Sequence, residues 1–593
     1  MIKRQFQWAI TIFVGILIIV GGGTLLVRHV IWPQIQRLPF VSNREVIPFH
    51  VHHGFDPDAT IMVFGNALLQ ESDAPPPFVN DEVVYLPVAF LMYHFDRFMF
   101  WDEYANVLTV TTHEELVVFH PGQTRFTING FAHEADSPVL EVDGDIFMPA
   151  CLAEGLYPII VTHSTDYNIV VVEDAVIRYT RGSLTSRTNI LRYQPNNNSP
   201  IAARVPSGSS ITIFEECENG NFTRVRTDDG ILGWVRTSSI GNYRFEYSRY
   251  YILNHDRNLL LDDFVNYATR RQAVWPAGRP VMMAWDDIND RAVNYARMEA
   301  PLYDGINVIA PTWFRLDDAA GGVTSIGSRS YTAWANAEGV QVWPSFEVAF
   351  GQIGAFLTNR AARERVINQL VGFVREYDID GINIDFVPTN AAQGPYYIQF
   401  LRELSLRLGM HRVVLSANAA ARETAFYSRE LLAYAVDFVI LMAHDEHGPH
   451  AEYSGPVASL PFVQRYVDIL LTYVPHAQLV LGLPFYNRVW REIIGDNTPE
   501  TRQVRHLGTA YTREWFEYNN AVWEWMPEIG SYYGRFAAQE GDEIVYYRVW
   551  LECGRSLGEK LRIFRENDLG GVAVWNRNFR YNDELWEVIG GVF

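Results

Sequence analysis

Residues 378–387 read Asp-Ile-Asp-Gly-Ile-Asn-Ile-Asp-Phe-Val, a short apolar run interrupted by polar residues at fixed places. Asp380, Asn383 and Asp385 are hard to explain as core. A carboxylate near the end of a buried strand costs free energy unless it is hydrogen-bonded or does chemistry. Two residues beyond Asp385 stands Val387, which cannot donate a proton. Pro388 follows it, so no simple register shift brings an acid to that place.

The elements that must position these residues follow from the surrounding pattern. Residues 244–593 alternate apolar strands with helix-like segments, which implies a parallel α/β fold. Eight strand candidates can be counted: 281–285, 306–310, 340–346, 381–386, 413–417, 438–443, 479–483 and 572–575. Helix-like stretches such as 363–377 and 396–408 lie between them. Eight such units make a (β/α)₈ barrel, a TIM barrel, whose active site lies at the C-terminal strand ends. The interval before the last strand is too long for one helix and predicts an inserted α+β lobe at about 488–560. The strand ends, in order, supply Asp286 and Asp287; Trp313; Glu347; Asp385 and Val387; Asn418; His444, Asp445 and Glu446; Tyr486 and Asn487; and Trp575 and Asn576. That is an acidic mouth rimmed by aromatic rings, as a glycan cleft requires.

The 380–387 stretch resembles the Asp-Gly-x-x-x-Asp-x-Glu signature of glycoside hydrolase family 18, the chitinase-like enzymes. Leu441-Met442-Ala443-His444-Asp445-Glu446-His447 is similar to the family's Met-x-Tyr-Asp motif, in the Asp-Glu-His variant of wall- and spore-lytic members. Leu481-Gly482-Leu483-Pro484-Phe485-Tyr486 resembles Gly-x-Pro-x-Tyr, and Gly570–Trp575 resembles the last strand. The resemblance covers the barrel and implies a substrate-assisted mechanism, an exception to the two-carboxylate pattern. A Glu protonates the glycosidic oxygen while the substrate's N-acetyl oxygen attacks the anomeric carbon. Carried over by position, Asp385 would hold the acetamido group with Asp380 supporting it. Trp575 would stack beneath the ring, and His444, Asp445, Tyr486, Asn418 and Glu347 would contact the sugar. Two positions depart from the pattern: Val387 stands where the general acid belongs, and His444 where the Tyr belongs. Positioned acid catalysis is worth about 10²–10⁴-fold in ordinary cases. Whether the chain is an enzyme is therefore open. Glu347 and Glu446 are possible replacement acids from neighbouring strands.

Ahead of the barrel, residues 59–175 carry a weak repeat. Residues 78–87 are echoed by 140–149, each copy followed by a short helical stretch and a β-rich run. This resembles the stalk-like domain first named from copper amine oxidase N-termini. Its scattered His94, His113 and His120 do not read as copper ligands. Residues 176–243 show short strands, tight turns and Gly233-Trp234-Val235, similar to a bacterial SH3-like domain, with Trp234 read as core. The resemblance implies cell-wall or peptide binding. At the N-terminus, Lys3 and Arg4 precede an apolar run from Trp8 to Val27. About 30 Å of helix would span a bilayer. Residues 1–30 are expected to be a cytoplasmic tip and transmembrane signal anchor, with 31–58 a linker and the bulk of the chain outside the cell membrane on the wall side.

The bulk properties agree. With 593 residues the chain requires several domains. A net charge of −21 disfavours nucleic acid, whose phosphates call for Lys and Arg. Three distant cysteines support neither a disulfide framework nor a thiolate zinc site, and His444, Asp445 and His447 lack a recognised ligand spacing. No cofactor or metal is expected. The expectation is a membrane-anchored envelope protein whose barrel binds an N-acetylated polysaccharide, peptidoglycan or chitin-like, with hydrolysis lost or weak. The alternatives are an active hydrolase that uses Glu347 or Glu446, and a scaffold that binds protein.

Overall fold

A computed structural model describes residues 45–69, 74–112, 114–247, 275–276, 278–300, 302–494, 499–579 and 582–593. The expected membrane span at 8–27 lies outside them. Among the described residues no helix is long and apolar enough to cross a membrane.

The described chain forms two compact units. The first takes residues 45–97, 122–124 and 135–247. Its repeat is visible as a four-stranded sheet made of two hairpins, Phe78–Asn80 with Val83–Pro87 and Leu140–Val142 with Asp145–Pro149. The inner strands pair antiparallel, with Leu86 opposite Met148, and each hairpin runs into a seven-residue helix. A seven-stranded antiparallel sheet from Arg178 to Tyr247 forms the small barrel. Its core is Leu184, Leu191, Ile211, Val225 and Val235, shared with Ile61 and Val171 of the preceding sheet. Trp234, expected inside, is only partly buried: strand alternation sends Val235 inward and turns Trp234 to the other face.

The second unit is built on eight parallel strands, β1 (Val281–Asp286), β2 (Val308–Pro311), β3 (Ser345–Glu347), β4 (Gly381–Asp385), β5 (Val414–Ala420), β6 (Phe438–Met442), β7 (Leu479–Pro484) and β8 (Gly571–Trp575). The neighbours run β3-β4-β5-β6-β7-β8-β1-β2. The ring closes because the third strand is split. Gln341–Val342 pairs with β2, and β3 proper pairs with β4. The break falls at Trp343-Pro344, where proline has no N–H to give a ladder. All eight expected strands are present, with ends shifted by one to three residues except for that break.

Two motif glycines sit where backbones crowd. A Cβ on Gly381 would meet the Trp343 indole at 2.4 Å, and one on Gly482 would meet the Leu441 carbonyl oxygen at 2.6 Å. Helix α1 (Arg360–Tyr377) begins with the Asn359 side chain accepting from the Ala362 N–H, and it buries Val366, Ile367, Leu370 and Val374. Helix α2 (Gly394–Gly409) follows β4. The inserted lobe spans Asn487–Leu551 as a five-stranded antiparallel sheet and one helix, Thr509–Tyr518.

A five-stranded meander, Phe100–Glu134, also belongs to the second unit. It packs on α1 and α2 through groups that are buried and paired. Arg363 reaches Asp102 at 2.5 Å, with both side chains almost wholly buried. Gln399 donates to Thr111 Oγ1 at 3.0 Å, and Arg402 to the Phe98 carbonyl at 2.7 Å.

Candidate active site

The barrel interior is polar at its upper end, and its hydrogen bonds run in a chain. Trp285 Nε1 donates to Asn383 Oδ1 at 3.3 Å, and Asn383 Nδ2 to Asn418 Oδ1 at 3.0 Å. Asn418 Nδ2 then donates to Asp385 Oδ1 at 2.6 Å. The spacing of two between Asn383 and Asp385 places both inside the ring, since alternate strand residues face the same way. Asn383 bonds to Trp285, Ser416 and Asn418, which meets the cost of a buried amide in full.

Register sets Glu347 of β3 directly beside Asp385 of β4. Burial, and then the charge of Glu347, push the Asp385 carboxyl up to about 6; the Asn418 hydrogen bond and the charge of His444 offset part of the rise. Arg315 reaches Glu347 Oε2 at 3.2 Å from the rim and is itself two-thirds exposed.

Across the mouth, Asp445 follows β6 in a left-handed backbone conformation, φ 60°. Tyr486, itself buried, donates its hydroxyl to Asp445 Oδ1 at 2.7 Å, and Arg488 Nη2 donates to the same oxygen at 2.5 Å. Burial alone would raise the Asp445 carboxyl. Its bonds from His444, Arg488 and Tyr486 win and hold it well below the usual carboxylate range. His444 stands beside it, with Nδ1 3.4 Å from Asp445 Oδ2. Trp575 is partly buried at the end of β8, its ring 5.7 Å from that of Trp285, and the Trp575-Asn576 peptide is cis.

The structure thus gathers Asp385, Glu347, Asn418, His444, Asp445, Tyr486 and Trp575 at the C-terminal mouth. Asp380 does not join them. It precedes the first residue of β4, and its Oδ2 accepts the Val342 N–H at 2.9 Å. A five-residue strand of about 3.3 Å per residue separates it from Asp385. It fastens the base of the barrel and cannot support Asp385.

Other strand-end candidates also have structural occupations. Asp286 is wholly buried among Tyr331, Arg297 and Arg577. Trp313 is buried and donates to Asn294. Asn487 accepts from the Glu552 N–H. Glu446 is taken by Ser459, the N-cap of the following helix, whose N–H and hydroxyl occupy its two oxygens at 2.7 and 3.0 Å, so it is not a free replacement acid.

Sequence reasoning missed Arg488, on the first strand of the inserted lobe, and Tyr397, a wholly buried α2 residue. The hydroxyl of Tyr397 has no hydrogen-bond partner, and the Asp385 charge helps raise its pKa after burial and Tyr427. Nothing in the local pattern marks either: Arg488 meets Asp445 across 43 residues of chain, and Tyr397, twelve residues beyond Asp385, reads as an ordinary core position of its helix. Among the described residues no group of His, Cys, Asp and Glu could hold a metal ion.

Comparison with known proteins agrees with this geometry. Residues 332–579 match the model of glycosyl hydrolases family 18, residues 187–241 that of the bacterial SH3 domain, and residues 64–168 that of the copper amine oxidase N-terminal domain. A Bacillus subtilis protein named as a sporulation-specific glycosylase, YdhD, is 26% identical over 236 residues, 39% of this chain and 54% of that protein. The cortical fragment-lytic enzyme of the same organism is 26% identical over 256 residues, 41% of this chain and 56% of the enzyme. The chain spans about half the length of these curated relatives. A chitinase structure from Chromobacterium violaceum aligns with a TM-score of 0.45 at 19% identity, covering 53% of this chain and 100% of that one. The barrel and the mouth it carries are thus similar to glycosyl hydrolases family 18, and the chain ahead of them is similar to a copper amine oxidase N-terminal domain and a bacterial SH3 domain.

Proposed function

We propose that this is a membrane-anchored protein of the cell envelope whose family 18 domain binds an N-acetylated glycan, peptidoglycan or chitin-like, with hydrolysis lost or weak. The observation that carries the reading is a selective substitution. Trp575 at the end of β8, the Asp385–Asn418–Asn383 chain and the clamped Asp445 support the holding of a sugar. The residue two beyond Asp385 is Val387, which has no proton to give. Holding a sugar requires the first set; breaking the bond requires the missing group. Relatives named for cortical fragments and sporulation support a wall glycan as the ligand. The apolar run behind Lys3 and Arg4 supports the anchor.

The test is a wall-pelleting and wall-digestion assay on wild type beside Val387→Glu. Wild type is expected to pellet with the wall and to release little or no soluble sugar, and the variant to gain turnover. Substantial wild-type turnover would sink this reading.

One observation favours a second reading, an active hydrolase. Glu347 lies beside Asp385 on the next strand, and its charge helps raise the Asp385 carboxyl. In that case wild type turns over and Glu347→Gln abolishes the activity.

A further inference from the structure

Trp575 is the residue that the glycan-binding reading lays against the sugar, and its two neighbouring strands hold it unequally. On the β7 side, Pro484 stands opposite Trp575 and the Phe485 N–H reaches the Trp575 carbonyl at 2.8 Å. On the β1 side the ladder ends at Ala284 and Val574, one residue short of Trp575. Where that pairing stops, three consecutive residues of β1 and its end grip the chain leaving Trp575. The Trp285 carbonyl accepts the Arg577 N–H at 3.0 Å, and Asp286 Oδ2 accepts from Arg577 Nη1 at 3.3 Å. The Asp287 carbonyl accepts from Asn578 Nδ2 at 2.9 Å.

Asp286 is the fixed point among them. It and Tyr331 are wholly buried, and the Arg577 side chain is 4% exposed. Tyr331, on the helix Arg329–Ala337, donates its hydroxyl to Asp286 Oδ2 at 2.6 Å. Arg297, on the helix Arg291–Met298, pairs with Asp286 Oδ1 at 3.0 Å. The carboxylate is thus tied to two helices as well as to Arg577, whose guanidinium also lies over the Trp334 ring at 5.9 Å. Desolvating such a set is often not repaid in stability against apolar packing of similar volume, so what it supplies here is geometry. A ring that stacks on a ligand needs that geometry, since binding groups work when held to within about 0.5 Å and 10–20°. We propose that Asp286 and Arg577 are positioning residues for the glycan, which set the Trp575 ring against the sugar through residues 575–577 and touch no sugar themselves. This rests on the glycan-binding reading above and adds to it a buried pair on which affinity depends without contact.

The experiment is a double-mutant cycle on the full chain, read as affinity by calorimetric titration. The probes are the N-acetylglucosamine tetramer and the peptidoglycan tetrasaccharide of alternating N-acetylglucosamine and N-acetylmuramic acid. The cycle is read on whichever wild type binds more tightly. Arg577→Met leaves Asp286 paired with Arg297 and Tyr331, so the carboxylate is not orphaned. It is expected to weaken binding at least about threefold, the scale of one misplaced aromatic contact. Trp575→Phe is expected to weaken binding too, and the double variant to bind no worse than Trp575→Phe alone, because Arg577 acts through that ring. Where Arg577→Met fails to fold, Tyr331→Phe carries the same cycle. Unchanged affinity in the folded variant would overturn the proposal and leave glycan binding intact. Losses that multiply in the double variant would overturn it as well, since a merely structural pair lowers affinity alike with Trp or Phe at 575. Binding of neither probe by wild type would overturn both readings.

Discussion

Asp385 is held in a partly buried place where its charge is unwelcome. Its carboxyl titrates near 6 in the fold against about 3.9 in an unfolded chain, chiefly from burial and then from Glu347. A folded-state pKa that is raised means the native state keeps the proton longer. The stability tied to this group is therefore fully present below pH 4 and is lost as the pH rises through 6. Asp385→Asn is expected to match wild type at pH 4 and to be more stable by about 1–2 kcal/mol at pH 7, a figure discounted for the part of the side chain that meets solvent. Urea unfolding at the two pH values checks it, and the same variant should bind glycan more weakly. On the opposite wall, Tyr486→Phe removes the 2.7 Å bond to Asp445 Oδ1. A hydrogen bond to a charged group is worth about 1.5–3 kcal/mol, so glycan affinity should fall at least about tenfold. Unchanged affinity would show that Arg488 alone orients Asp445. The residues legible at this scale were those on a strand of their own: the spacing of two in β4 announced Asn383 and Asp385 as a pair. Arg488 was not legible, because its role comes from the lobe folding back onto a loop that precedes it in the chain by more than forty residues.

The meander and the helix pair show what elements contribute. Arg363 and Asp102 form a 2.5 Å ion pair with almost no exposure on either side. Truncating one partner leaves the other charge buried alone, which costs about 3–5 kcal/mol. Arg363→Met is expected to lose that much by chemical denaturation, with hydrogen exchange accelerated first in residues 100–134. The double variant with Asp102→Leu should recover most of the loss, because two apolar groups of similar shape leave no orphaned charge. Loss of the same size in both variants would show that packing, not the pair, holds the meander. The strands themselves were readable as apolar runs of four to seven residues between helical stretches. The split in the third strand was marked only by Pro344. The engagement of Glu446 by the N-cap Ser459 was not marked at all, since Ser459 lies thirteen residues away and is brought in by the fold.

For the whole molecule, the repeat at 78–87 and 140–149 invites a boundary that gives everything from 59 to 175 to one domain. The compact units instead place residues 98–121 and 125–134 with the barrel. A fragment of residues 244–593 would expose the faces of α1 and α2 that the meander covers and would leave Arg363 without Asp102. That fragment is expected to melt several degrees below the barrel transition of the full chain, and differential scanning calorimetry decides it. Equal transitions would show that the meander adds nothing to the barrel.

The amino-acid sequence by itself determined the eight-strand order, the lobe before the last strand, the hairpin repeat and the absence of an acid at Val387. Each of these is written in local alternation, turn residues or residue identity. Only the tertiary structure decided that Asp380 serves the base of the barrel, that Glu446 is taken by the N-cap Ser459, that Glu347 stands beside Asp385, and that His444 presents an unpartnered nitrogen. The reason is physical. Strand periodicity states which face a side chain takes, whereas hydrogen-bond partners and desolvation are set by whichever distant segment folds against that face.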